Sequence, residues 1–133
     1  MSRVVLGVAI VLGIGAIANG IFMLVSPANW YFAVPGVTST GPFNQHFVRD
    51  IGLIFAAVGA AFLLGVARPI YRTAAWGAAA IWLSGHALFH FWEVAVGICG
   101  PSALLRDFTA VTLPALLAVA ITIHALSNKE PVR

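Results

Sequence analysis

Four stretches of this chain, residues 4–25, 44–67, 73–97 and 107–126, are apolar almost throughout. Each reaches the roughly 20 residues that a helix needs to cross a hydrocarbon core of about 30 Å. None shows the period-two alternation of a barrel strand, so the expected elements are helices, each satisfying its own backbone in lipid. Together with short connections they use nearly the whole of residues 1–133, which predicts a single domain with no soluble part. Charge bears this out: 8% of residues are Asp, Glu, Lys or Arg, against about 25% in a soluble domain that must wet its surface. Disorder is excluded by the opposite property, an apolar content of 61%, which is far too high for an unfolded chain. The expected fold is an all-α, integral-membrane four-helix bundle.

The N-terminus invites a second reading. Met1-Ser2-Arg3, an apolar run and Ala16-Ile17-Ala18 have the layout of a secretory signal with its cleavage site. The apolar run continues through Ile21-Phe22-Met23-Leu24-Val25, however, so an uncleaved first span is expected. Arg3, Arg68, Arg72, Lys129 and Arg133 flank the N-terminus, the second connection and the C-terminus. In a four-span chain these three places share one side, which the positive-inside bias makes cytoplasmic. The long loop of residues 26–43 and the connection of about 98–106 then lie outside, where Arg49 and Arg106 run against the bias. A loop carrying Trp30, Tyr31, Phe32 and Phe43 is expected to fold back over the helix ends, as an interfacial anchor or a lid.

Small residues, among them Gly13, Gly15, Gly20, Gly52, Ala56 and Gly59, predict close helix packing, since lipid supplies little hydrophobic drive between helices. Pro114 is expected to kink the fourth span. The lone Cys99 excludes an internal disulfide and paired-cysteine redox chemistry. The basic pI comes from the flanking cations and does not point to nucleic acid.

The polar residues that remain gather towards one end. His46 and Asp50 stand four apart on the second span; His86, His90 and Glu93 stand at i, i+4 and i+7 on the third. Because the spans run in opposite directions, both sets fall in the outer third of the bundle, with Asn19 at similar depth and Arg106-Asp107 at the boundary. Ionisable groups cost about 2.5–3.5 kcal/mol at a helix centre on insertion scales, so they must be offset by pairing, water or metal.

Imidazole with carboxylate suits zinc, iron, copper or manganese. The leading expectation is therefore a transition-metal site with His46, His86 and His90 as ligands, and with Asp50 and Glu93 as further ligands or orienting groups. Arg49 is assigned as an anion clamp or salt-bridge partner. A b-type haem held by His46 and either His86 or His90 is the second reading, with Arg49 and Arg106 on its propionates. A structural polar network and a proton or ion pathway are the others. His124 lies near the inner end, far from this group, as an interfacial histidine.

The stretch Gly41-Pro42-Phe43-Asn44-Gln45-His46-Phe47-Val48-Arg49-Asp50-Ile51-Gly52, with the Ser26-Pro27 to Pro35-Gly36 loop and the Gly85-His86 to Glu93 run, resembles small bacterial four-span proteins that are DoxX-like in size and layout. The resemblance implies a bacterial cytoplasmic membrane setting and carries no catalytic residues over. The functions left in view are metal-dependent chemistry on a lipophilic substrate or metal handling, haem binding, and a non-enzymatic accessory subunit of a membrane complex. The expected partners are the bilayer and a second copy or a membrane-complex subunit.

Overall fold

The protein is described by a computed structural model over residues 1–128; Lys129 and Arg133, used above as orientation markers, lie outside the described residues. Among the described residues every regular element is helical. Helix α1 spans Arg3–Val25, α2 Pro27–Ala33, α3 Gln45–Ala67, α4 Arg72–Ala95, α5 Ser102–Asp107 and α6 Leu113–Ser127. Side-chain caps set two of the starts. Ser2 Oγ accepts from the Val5 N–H at 3.3 Å, and Asn44 Oδ1 accepts from the N–H groups of His46 and Phe47, each at 3.1 Å. The Asn44 cap leaves His46 in the first turn of α3.

Three helical segments, Arg3–Val25, Gln45–Ala67 and Ser102–Ser127, are long and apolar enough to cross a membrane, which supports an integral membrane protein. At 24 residues α4 is as long as these, roughly 36 Å at 1.5 Å per residue. Its run of His86, His90, Trp92 and Glu93 makes it less apolar than the other three.

The last membrane-length helix differs from expectation in where it starts. The stretch 98–106 was expected to be a connection, yet helix begins at Ser102 and runs through a π-helical turn, Phe108–Thr112, into α6. Pro114 supplies the reason. It has no N–H to donate and its ring crowds the carbonyl four residues back. The backbone there widens, with the Leu113 N–H reaching the carbonyl of Phe108. The expected distortion at Pro114 is thus a π turn placed just ahead of it.

Helices α1 and α3 make the closest pair. A Cβ added at Gly20 would lie 2.6 Å from the Gly52 carbonyl oxygen, and one at Gly59 would lie 2.5 Å from that of Gly13. Backbone therefore meets backbone along this seam, the contact expected from small residues in lipid. Helix α4 packs between α3 and α6, and α6 touches α1 to close the ring.

The end of the bundle near Arg72 is dense. Trp76 is fully buried, donates Nε1–H to the Phe62 carbonyl at 3.0 Å, and fills the space left by the missing side chain of Gly65. Arg72 donates to the Gly65 carbonyl at 2.9 Å and places its guanidinium 5.5 Å from the Trp76 ring centroid. Packing loosens towards the other end, where the segment after α1 folds over the helices, as its apolar sequence implied.

Candidate functional site

That segment is more ordered than a plain connection. Pro27 starts α2, consistent with its preset φ and missing N–H. Trp30 Nε1–H donates to Asn19 Oδ1 at 2.9 Å, tying α2 to α1, and the Tyr31 hydroxyl donates to the Gly41 carbonyl at 2.6 Å. Gly36 has φ +87°, and its missing side chain leaves the space that the Arg106 guanidinium occupies. A Cβ at Gly36 would meet both the left-handed backbone penalty and that guanidinium.

Beneath this cover lies an open cavity of about 1180 Å³ bounded by α1, α3, α4 and the start of the last helix. Drug-sized ligands commonly occupy about 300–1,000 Å³, so the space is ample for a small lipophile. Its walls are mainly apolar, with Phe55, Phe62, Ile81, Trp82 and Phe89 among them. The polar groups that reach it include Asn19, His86, His90, Glu93, Arg106 and Asp107.

Three interactions organise the polar wall. Arg106 grips Asp107 with Nε on Oδ1 at 2.6 Å and Nη2 on Oδ2 at 2.9 Å. His90 Nδ1 lies 3.1 Å from the same Oδ2. An ionised carboxylate only accepts hydrogen bonds, so Nδ1 carries the proton, and in the neutral ring Nε2 keeps its lone pair. His86 sits against His90, ring centroids 4.8 Å apart at 79°, and stacks on Trp82 at 5.2 Å and 12°. Phe55 meets His86 edge-on at 6.2 Å. These contacts fix both imidazoles in a wall whose chemistry is that of an oriented proton acceptor next to a second, weakly engaged ring.

The end of α4 places Glu93. Gly97, at φ +82°, terminates the helix; the Gly97 N–H bonds to Val94 O at 3.2 Å and the Ile98 N–H to Glu93 O at 2.9 Å. This is the paired-bond stop that a left-handed glycine permits. The Cys99 N–H adds a bond to Glu93 O at 3.2 Å, so the chain turns over Glu93 and holds its side chain inside, 7% exposed.

The five expected metal-site residues divide into two groups. His86, His90 and Glu93 face the cavity together. His46 and Asp50 instead pair with each other, Nε2 to Oδ2 at 3.2 Å, with side chains 87% and 54% exposed, and neither lines the cavity. Arg49 also lies outside it, donating Nε–H to the Leu24 carbonyl and Nη1–H to Gln45 Oε1, both at 3.1 Å. It fastens α3 to the end of α1. Among the described residues no three His, Cys, Asp or Glu side chains are arranged to hold one metal ion. Sequence reasoning gave Asp107 no role, and gave Arg106 one only in the haem reading. The signal of this pair was there, an arginine at the loop end where the charge bias disfavours one, with a carboxylate beside it.

Comparisons with protein-family models, with curated proteins and with solved structures found no match to this chain. The DoxX-like resemblance therefore stands on its sequence motif alone.

Proposed function

We propose that this chain is a four-span protein of the bacterial cytoplasmic membrane that binds a lipophilic small molecule in the cavity, with the molecule's polar head against His86 and His90. The observation carrying this reading is the Asp107-oriented His90 beside His86 on the wall of a cavity of about 1180 Å³. An amphipathic ligand suits such a site, since apolar walls take its body and a few placed polar groups fix its orientation. Asp107 keeps one His90 nitrogen engaged and the other available to accept a hydrogen bond or a proton from the head. Reaction chemistry at that head would use His90 as its acid–base group.

The length of α4 and its place between α3 and α6 support a fourth span. The cluster Arg3, Arg68 and Arg72 supports cytoplasmic placement of the end opposite the cavity. The cavity then opens towards the outer face. Ser39, which is exposed, tests this: in a Cys99→Ala background, Ser39→Cys should react with an impermeant maleimide on intact cells. Reaction only after permeabilisation would invert the topology.

Ligand binding is tested by extracting and mass-analysing what accompanies the purified full-length protein. The expected result is an organic lipophile near one per chain, depleted in His86→Ala and His90→Ala. Elemental analysis and an absorption spectrum on the same sample address the metal and haem expectations. A stoichiometric transition metal lost in both variants, with no organic ligand, would overturn the lipophile reading in favour of a metal site; a Soret band would do so in favour of haem.

A further inference from the structure

Glu93 has no task in the reading so far, and its surroundings are unusual for a carboxyl group. It is 7% exposed, it lies in the last turn of α4, and among the described residues it makes no side-chain hydrogen bond and no ion pair. Sealed polar atoms in the described residues all have partners. The unpartnered carboxyl oxygens of Glu93 are therefore not sealed, and the residue lines both the cavity and a small pocket beside Cys99 and Ala103. An isolated carboxylate in an apolar environment is strongly disfavoured: the group either takes up a proton or pairs with a cation.

The neighbouring charges do not supply one. Among the described residues Arg106 is the only Lys or Arg on the cavity wall, and both arms of its guanidinium that bond are spent on Asp107, at 2.6 and 2.9 Å. That ion pair sums to zero. His90 is turned to the same Asp107 oxygen, and His86 is held between the faces and edges of Trp82, Phe55 and His90. Cys99 and Tyr31, the other titratable groups on the wall, bring no positive charge. Glu93 is thus the carboxyl group left without a partner on a wall that also carries aromatic rings, and aromatic faces attract cations as well.

We infer that the ligand of this cavity is a lipophilic cation, an apolar or aromatic body bearing a quaternary or protonated onium centre, and that Glu93 is its counter-ion. The inference rests on the proposed binding of a lipophile and adds the charge of its head. Binding brings the cation to the carboxylate and closes the local charge balance without any covalent step. Phe89, one turn before Glu93 on α4, supplies a ring near it. A neutral lipophile of the same shape satisfies the walls and leaves Glu93 unpaired.

The probe is tetraphenylphosphonium, whose charge is permanent, set against triphenylphosphine oxide, a neutral aryl compound with a hydrogen-bond acceptor. Binding to the full-length protein in detergent is followed by calorimetry and by quenching of tryptophan fluorescence. The cation is expected to bind about tenfold or more tightly than the neutral compound, a difference of one decade in Kd. Glu93→Gln should abolish that preference while leaving the neutral compound unaffected, and Glu93→Asp should keep it. Equal affinity for the two probes, or an unchanged preference in a folded Glu93→Gln protein, overturns the inference while leaving a lipophile site in place. Binding of neither probe, with no co-purifying lipophile, overturns both the inference and the function on which it rests. The comparison of probes on the unmodified protein needs no variant to fold.

Discussion

Trp76→Ala is expected to destabilise the bundle by about 3 kcal/mol, towards the low end of the range for emptying a buried aromatic site. Three losses combine. The indole is fully buried, so its removal opens a void between α3 and α4 that rigid helices can only partly close. Its N–H bond to the Phe62 carbonyl disappears, and Arg72 loses the ring beneath its guanidinium. The low end is appropriate because lipid is itself apolar: exposing the site to lipid forfeits packing and a hydrogen bond but little hydrophobic transfer energy. Trp76→Phe keeps most of the packing and drops only the N–H bond, so it should cost about 1 kcal/mol. Unfolding in mixed micelles measures both. Similar costs for the two variants would show that the hydrogen bond, and not the filled space beside Gly65, holds this end together.

The helices were legible from the chain because lipid leaves a backbone little choice. A segment that cannot hydrogen-bond to its surroundings must do so internally, and length with apolarity then marks it out. Residues 4–25 and 44–67 accordingly coincide with Arg3–Val25 and Gln45–Ala67 to within one residue at each end. The beginning of the last helix was not legible. Gly100-Pro101 reads as a connection and is one, but helix starts directly after it at Ser102, and the π turn ahead of Pro114 joins that start to α6.

The site was half legible for a related reason. Spacing tells which residues share a helix face and not which face turns inward. His46 and Asp50 do share a face, but α3 is rotated by its contact with α1 through Gly52 and Gly59. At 3.6 residues per turn His46 lies roughly 120–140° round the helix from those glycines. The glycines were visible in the sequence, and treating them as the inner face of α3 would have sent His46 and Asp50 outward. On α4 the same logic worked, because His86, His90 and Glu93 lie on the side that meets the cavity. The cavity itself had no sequence signature, since it arises from how the segment after α1 folds onto Arg106 through Gly36.

Asp107→Asn is expected to weaken ligand retention by about 10–100-fold, the equivalent of losing a charge-assisted hydrogen bond of about 1.5–3 kcal/mol. The carboxylate accepts three bonds at once, two from Arg106 and one from His90. An amide offers a single oxygen, and its NH2 group faces donors it cannot satisfy. If the oxygen stays with Arg106, His90 loses the partner that fixes its tautomer; if it turns to His90, one arm of the guanidinium that packs at Gly36 is released. Combining Asp107→Asn with His90→Ala separates these outcomes. Where Asp107 acts by orienting His90, the double variant should retain ligand no worse than His90→Ala alone, because interacting sites fail to add. A fully additive loss would place the effect of Asp107 in holding Arg106 and the covering segment. Ligand capture would then depend on the closure of the cavity more than on the presentation of its imidazoles.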